Sequence, residues 1–273
     1  MYCRRMGQPL RDTGSDIPKL LGFAEGLSSD VAMLQQSVPL NAVSPDFSLC
    51  FMAACFVSRE VDHLRGVANL TRIGLDSEAL ILARSMLEGM AQLLWAAQEP
   101  EERPSMWHRF VFVEDWRITQ RREEPLSERE EEERSLLKEK VREEAADFLT
   151  RKAQNAERSG QEMPSDPYRQ KWYGGETVKE LFKQTSAENL WPLYRAASES
   201  VHWTMRGLGS SIVRDDTKLT YQSEDPNKAA TALASGIQAV LQVAQVLASC
   251  LGEDARRSVS DWHGDYVSLM QSG

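Results

Sequence analysis

The sequence of 273 residues lacks the common signatures of nucleotide, metal and hydrolase sites. It contains no P-loop, no GxGxxG, no HExxH and no GxSxG motif. Its four histidines never pair with one another at helical spacing, and its four cysteines form no CxxC motif. We therefore expect no cofactor and no metal site, so any chemistry depends on side chains that folding brings together.

Long apolar runs and basic character are also missing. No uninterrupted apolar stretch reaches the roughly 18 residues that a membrane-crossing helix needs. The two arginines near the start are not followed by an apolar segment of the secretory-signal type. A net charge of −9 argues against a general nucleic-acid coat or a membrane-surface protein, although it leaves room for a local basic pocket. We expect a cytoplasmic protein with no membrane contact.

Cysteine is scarce, and its placement favours a structural role. Cys50, Cys55 and Cys250 lie in apolar stretches of sequence, where a free thiol behaves as a small hydrophobic group. The expectation for these three residues is therefore buried, reduced thiols.

What the sequence does have is helical spacing of apolar residues along most of its length. In the first helical segment, for example, Leu20, Leu27 and Val31 fall on one face. Strand-like alternation is confined to SIVRDDTKLTY, residues 211–221. With 41% hydrophobic residues to form a core, the pattern predicts an all-α, antiparallel helical bundle with a long charged helix and at most one short hairpin.

Residues that begin or break helices suggest how this bundle is organised. We expect an N-terminal helix in residues 1–43, a bundle domain in 44–252 and a C-terminal helical tail in 253–273. The long charged helix, residues 127–159, is expected as an insertion that begins with the capping box Ser127-x-x-Glu130.

The charged helix combines a solvated surface with a narrow apolar stripe. Residues 121–144 carry ten acidic and seven basic side chains, a composition typical of an exposed helix with many i,i+4 ion pairs. Leu137, Val141, Ala145 and Phe148 form the stripe. It is too narrow for a deep core, so we expect it to pack on one neighbouring helix or on a second subunit.

Polar residues inside apolar helices are the best candidates for a site. Arg84 and Glu88 lie four residues apart in LILARSMLEGMAQLLW, and Tyr194 and Ser198 share the same spacing in a later helix. His63 belongs to a third helix, in VSREVDHLRG. Because a buried charge must be paired, these groups are expected to converge, either as a pocket or as a structural network that fixes helix register.

The stretch LYRAASESVH adds a pair with specific chemical meaning. Arg195 and His202 are separated by six residues. A metal-independent ribonuclease needs a base near neutral pKa to take the proton of the ribose 2′-OH, and histidine suits that task. It also needs a cation over the phosphate, which a guanidinium provides. The spacing resembles the R-x(4–6)-H signature of the HEPN superfamily, except that Ala196 replaces the polar residue that often follows the arginine.

A broader resemblance covers about residues 50–250. The ARSMLE helix and the helix end YRAASESVH are similar to those of a widespread bacterial family of uncharacterised all-helical proteins, itself distantly similar to HEPN and abortive-infection proteins. The residues that carry it are Arg84, Glu88, Tyr194, Ser198 and His202. Arg195 is not part of this family pattern, so the resemblance leaves open whether Arg84 or Arg195 is the partner of His202.

The resemblance implies a HEPN-like domain of a bacterial defence or stress system, acting as a metal-independent endoribonuclease. In that interpretation His202 is the general acid or base and Arg84 or Arg195 binds phosphate, while Glu88, Tyr194, Ser198 and His63 are binding or orienting residues. The alternative is a non-catalytic ligand-binding or assembly module that uses the same pocket. The expected partners are RNA or a nucleotide, a protein bound through the charged helix, and further copies of the chain.

Overall fold

The computed structural model describes residues 16–38, 48–121, 127–174, 176–201, 212–214, 218–221 and 224–272. Its helices are α1 (Ile17–Gln36), α2 (Leu49–Arg72), α3 (Asp76–Ala96), α4 (Arg103–Gln120), α5 (Glu128–Glu144), α6 (Arg151–Ser159), α7 (Val178–Gln184), α8 (Trp191–Val201), α9 (Pro226–Leu251) and α10 (Glu253–Gln271). Short 3₁₀ turns span Ala146–Phe148 and Glu188–Leu190, and the strands are β1 (Ile212–Arg214) and β2 (Leu219–Tyr221). The protein is an all-α helical bundle, as the apolar spacing predicts.

The contacts divide the chain into two compact units. The first comprises the described parts of Met1–Ser44, Leu49–Gln98 and Val178–Gly273. In this unit α9 packs against α2 and α3, which also pack against each other, and α1 covers α2 and α9. Its fully buried side chains include Met52, Leu64, Met86, Leu87, Leu93, Leu233, Ile237 and Leu241. Burying each of these contributes about 1.5–3 kcal/mol to folding, so the three central helices form the main core of the unit.

A glycine turn makes α2 and α3 antiparallel neighbours. Gly74 follows the end of α2 with φ at 71°, a left-handed conformation that glycine adopts without strain. It also leaves space for Glu224, because a Cβ at Gly74 would lie 2.6 Å from Glu224 Cγ. The glycine therefore ends α2 and allows the chain to turn, and α3 packs directly against α2.

The start of α9 is fixed to the start of α3. Asp225 caps α9 by accepting hydrogen bonds from the backbone N–H groups of Asn227 and Lys228, a role for which aspartate is preferred. Its own N–H donates to Asp76 Oδ2 at 2.6 Å. Burial raises the pKa of Asp76 above its usual value, although this hydrogen bond opposes the rise. A buried polar contact thus sets the relative register of the two central helices.

Helix α9 has the length and composition of a membrane-crossing segment. Its most apolar window of 18 residues has a mean hydropathy of 1.4. Serine, glycine and glutamine interrupt the apolar residues of this helix, so it contains no uninterrupted apolar run of 18 residues. Of that window, 67% is buried inside the fold. A core helix can have the same hydropathy, and α9 packs against both other central helices of its unit.

The strands form the single hairpin that the alternating pattern predicts. Strands β1 and β2 pair antiparallel with Ile212 opposite Tyr221 and Arg214 opposite Leu219. Within the described part of the chain, the hairpin is the only sheet.

The second unit comprises Pro45–Ser48 and Glu99–Thr177, of which part is described. Helices α4 and α5 pack against each other within it. Arg117 on α4 bonds Asp166 at 3.1 Å and the carbonyl oxygens of Tyr168 and Arg169 at 3.1 and 2.8 Å. One guanidinium thus anchors the loop after α6 to α4, in addition to the backbone hydrogen bonds that join this loop to residues 148–150.

The charged helix is present, but it is shorter than the predicted span of 127–159. The capping box of Ser127 and Glu130 begins α5 as expected. The helix ends at Glu144 because Ala145 leaves the helical conformation, with φ at −116° and ψ at 15°. A 3₁₀ turn follows, and Thr150 then caps the separate helix α6.

The apolar stripe of the charged segment packs inside the second unit. Val141, Ala145 and Phe148 are fully buried. The Phe148 ring meets the ring of Phe110 on α4 edge to face, with centroids 5.2 Å apart. The expected packing on one neighbouring helix is therefore confirmed, and α4 is that helix.

Candidate functional site

Four polar side chains from α3 and α8 meet in the first unit. Arg84 Nε donates to Ser198 Oγ at 2.9 Å, and Arg84 Nη2 donates to the Tyr194 hydroxyl at 2.7 Å. The Tyr194 hydroxyl donates in turn to Glu88 Oε2 at 3.1 Å. Arg84 Nη2 and Glu88 Oε2 also form an ion pair at 3.5 Å. We call Arg84, Glu88, Tyr194 and Ser198 the Arg84 cluster.

Helical spacing explains why the four side chains meet. The two residues on α3 are one turn apart, and so are the two on α8, so each helix presents both groups on one face. Ser198 Oγ donates to the Tyr194 carbonyl at 2.8 Å, which leaves its lone pairs directed at Arg84. The polar side chains of α3 and α8 therefore converge, as their spacing predicts.

An aromatic group behind the cluster holds Tyr194 in place. The Tyr194 ring stacks on Trp191 with centroids 5.4 Å apart, and it contacts Phe182 of α7 at the same distance. On its other side, the Arg84 guanidinium lies 4.9 Å from the ring centroid, a cation–π contact. The tyrosine is therefore fixed from several directions before any ligand arrives.

The cluster is partly open to solvent. The side chains of Arg84 and Glu88 are 27% and 24% exposed, whereas Tyr194 is buried. Burial and the Glu88 carboxylate raise the pKa of Tyr194 above its usual value. The phenol accordingly keeps its proton at neutral pH and continues to donate to Glu88. Arg84 Nη1 makes no hydrogen bond with another residue that the structure describes, so part of this fork-shaped donor is available.

A second carboxyl group, Glu60 on α2, lies in a contrasting environment. It is 3% exposed, and its Oε2 has no hydrogen-bond partner within the described chain. Its Oε1 faces Gly89 of α3, where a Cβ would lie only 2.6 Å away. Burial raises the pKa of Glu60 well above its usual value, and nearby Arg59 only partly opposes the rise. Burial therefore favours the neutral acid form of this carboxyl, which lies against α3.

His63 lies one turn after Glu60 and is half-buried. Burial, and then the charge of Arg59, lowers the pKa of His63, so the imidazole is neutral at neutral pH. Its Nδ1 is buried and has no hydrogen-bond partner in the described ranges. No hydrogen bond joins His63 to the Arg84 cluster among these residues, so its binding role stays a prediction.

Two predicted site residues remain, Arg195 and His202. Arg195 lies on α8, next to Tyr194 in the sequence, and is exposed. His202 lies outside the described residues, so its role as acid or base stays a prediction. Of the two candidate arginines, the geometry places Arg84 with the polar group. Among the described residues, no group of three or more His, Cys, Asp or Glu side chains is arranged to hold a metal ion.

Sequence reasoning missed two parts of this arrangement. It did not connect Glu60, in the stretch VSREVDHLRG of α2, with Gly89 of α3, since a close approach between two helices leaves no pattern at fixed spacing in the sequence. It also missed the aromatic support of Tyr194. The signal was there in part, because Trp191 precedes Tyr194 by three residues, which is one turn of helix.

Comparison with known proteins relates the chain to a family. The model of a Family of unknown function (DUF5677) matches residues 51–219. This range covers most of α2, all of α3, residues 99–177 of the second unit and α8, so it contains the whole Arg84 cluster. Neither the curated proteins nor the solved structures give a match.

Proposed function

Since the chain belongs to the Family of unknown function (DUF5677), we propose its role from its own geometry: a HEPN-like helical domain of a bacterial defence or stress system that binds RNA or a nucleotide at the Arg84 cluster. The observation that carries this proposal is a partly exposed guanidinium held by three side chains from two helices. A fixed guanidinium is a good ligand for phosphate oxygens, because little freedom is lost when the anion binds.

The hydrogen bonds within the cluster support an anion site more than a closed network. Arg84 uses Nε and Nη2 for its neighbours, and Nη1 makes no bond with the described residues. A phosphate oxygen approaching Nη1 would therefore not need to break the existing contacts. The aromatic support of Tyr194 keeps the guanidinium oriented while a phosphate oxygen replaces water at Nη1.

Cleavage of RNA is the catalytic form of the proposal. His202 follows Ser198 by four residues in the sequence. In this role the imidazole takes the proton of the ribose 2′-OH, the resulting alkoxide attacks the adjacent phosphate, and the 5′-oxygen leaves. Arg84 would bear the phosphate charge that grows during the attack, and the reaction would require no metal.

Incubation of the purified protein with end-labelled RNA in the presence of EDTA tests this form. We expect cleavage by the wild type, loss of cleavage in His202→Ala and Arg84→Ala, and normal cleavage in the matched control Arg195→Ala. Binding measured on an RNA with 2′-O-methyl groups should weaken at least tenfold in Arg84→Ala alone. Absence of both binding and cleavage in the wild type would contradict the proposal.

A non-catalytic module is the second candidate, and one observation favours it. The Glu88 carboxylate already neutralises Arg84, and the chain carries a net charge of −9, so a long polyanion is repelled more than a small one. In this version the cluster senses a nucleotide. Glu88→Gln should then tighten nucleotide binding, because the competing negative charge is removed, whereas RNA stays intact in every variant.

The charged helix α5 is the proposed surface for a protein partner. Leu136 is 62% exposed on it amid charged residues, although the apolar stripe of the same segment is already buried.

We further propose that the chain is a cytoplasmic homo-oligomer without membrane contact. Sedimentation at low and high salt tests the association. A monomer under both conditions, also at high protein concentration, would contradict it.

A further inference from the structure

A cleft of about 480 Å³ in the first unit brings together two cysteines from opposite parts of the sequence. Cys50 lies in the first turn of α2, and Cys250 lies in the last turn of α9. The cleft is also lined by Leu34 at the end of α1 and by Asp254 at the start of α10. Four helix ends thus meet around two thiols that are 200 residues apart in the chain.

The two thiols are neighbours in this cleft. Cys50 and Cys250 both line it, and each affects the pKa of the other. Cys250 also donates to the Val246 carbonyl at 3.4 Å. Both are free cysteines, Cys50 half-buried and Cys250 exposed, so the expectation of buried thiols is wrong for Cys250. The reason is that Cys250 lies on the last turn of α9, beyond the part of the helix that the core covers.

We propose that Cys50 and Cys250 form a reversible disulfide that closes this cleft when the protein meets a peroxide. The partner thiols are already adjacent, and the exposed one is accessible to a small oxidant. The bond would tie the first turn of α2 to the last turn of α9. The inference is independent of the function proposed for the Arg84 cluster.

The chemistry balances in two steps. The Cys250 thiolate attacks one oxygen of hydrogen peroxide, the O–O bond breaks, and the products are a sulfenic acid and hydroxide. The Cys50 sulfur then attacks the Cys250 sulfur, the S–O bond breaks, and water leaves with the proton of the Cys50 thiol. Two thiols lose two electrons in total, and the peroxide is reduced to two molecules of water once the hydroxide takes up the proton that Cys250 released.

The local environment makes this reaction slow at neutral pH and faster in alkali. Burial and the neighbouring Cys250 raise the pKa of the Cys50 thiol to about 11. Burial also raises the pKa of Cys250, while interactions with Ser249 and Cys50 oppose that rise. Because the thiolate is the reactive form, the rate should climb about tenfold per pH unit below the pKa of the attacking thiol.

Peroxide treatment followed by mass spectrometry of non-reduced peptides tests the proposal. The wild type is expected to yield a peptide pair linked through Cys50 and Cys250, with a mass about 2 Da below that of the two thiols, and dithiothreitol should reverse it. Cys250→Ser and Cys50→Ser should each abolish the pair. The matched control is Cys55→Ser, a half-buried thiol on the same helix, and it should leave the link intact.

Two results would overturn the inference. One is oxidation of Cys250 to its sulfinic acid while Cys50 remains alkylatable in the folded protein. The other is a link from either residue to Cys3, to Cys55 or to a second chain in place of the predicted pair. A folded, oxidised wild type should also melt several degrees higher than the reduced form, because the link spans a long loop.

Discussion

Two glutamates on neighbouring helices have opposite environments: Glu88 on α3 and Glu60 on α2. Glu88 is partly exposed and is paired with Arg84 and Tyr194, whereas Glu60 is buried and one of its oxygens has no partner. The pKa of Glu60 is raised by burial. The comparison teaches that a carboxyl in this bundle is either paired with a cation and a donor, or buried where desolvation favours its neutral form.

The largest expected effect comes from removing the cation of the paired site. Arg84→Ala leaves the Glu88 carboxylate uncompensated and deprives Ser198 and Tyr194 of their donor. We expect a loss of about 2–3 kcal/mol in the free energy of unfolding, measured by urea denaturation. Arg195→Ala, on the exposed face of α8, should change it by less than about 0.5 kcal/mol. Equal effects of the two substitutions would show that the cluster contributes nothing to stability.

The contact of Glu60 with α3 is tested through the glycine that it faces. Gly89→Ala places a methyl group 2.6 Å from Glu60 Oε1 and should destabilise the protein by about 2 kcal/mol. The matched control is Gly26→Ala on α1, where nothing lies within 4 Å; this change should stabilise by about 0.5–1 kcal/mol. Adding Glu60→Ala should reduce the cost of Gly89→Ala, and strictly additive effects in this double-mutant cycle would refute the contact.

The raised pKa of Glu60 predicts a pH dependence. Its pKa in the folded protein is above the unfolded value of 4.5, so its contribution is fully present below that pH and is lost as pH rises through the folded pKa. Glu60→Gln removes this loss. The variant should therefore gain stability relative to the wild type as pH rises above about 5, and the gain should grow with pH. Parallel curves of unfolding free energy against pH would contradict a raised pKa of Glu60.

The smallest effect is expected from the bridging phenol. Tyr194→Phe removes one acceptor for Arg84 and one donor to Glu88 but keeps the stacking on Trp191 and Phe182. We expect a cost of about 1 kcal/mol in unfolding free energy and no change in the near-ultraviolet circular dichroism of the aromatic group. A cost above that of Arg84→Ala would mean that the phenol, and not the guanidinium, organises the cluster.

Much of the fold can be predicted from local sequence signals. Apolar spacing, the Asp225 cap, the capping box of Ser127 and the stop at Gly74 each act within a few residues, and the structure has all of them. The end of α5 at Glu144 was not predictable in this way, since a departure at Ala145 depends on packing around Phe148.

The candidate site could be predicted only in part, for the same reason. Arg84 with Glu88 and Tyr194 with Ser198 stand out because a charged or hydroxyl-bearing pair at i,i+4 in an apolar helix needs a partner. The contacts of Glu60 with Gly89 and of Cys50 with Cys250 join distant segments, and no periodicity reports them. Sequence alone also left two arginines as candidates, whereas packing on α8 distinguishes Arg84 from the exposed Arg195.

The central claim is that Arg84 is the cation of an anion-binding site. Fluorescence anisotropy of a labelled, 2′-O-methylated RNA at fixed salt, with ATP as competitor, measures it most directly. We predict that Arg84→Ala weakens binding at least tenfold. Arg84→Lys keeps the charge but loses the forked guanidinium, so it should weaken binding less. Folded Arg195→Ala should bind as the wild type does. Equal affinities for folded wild type and both Arg84 variants, or a loss confined to Arg195→Ala, would contradict it.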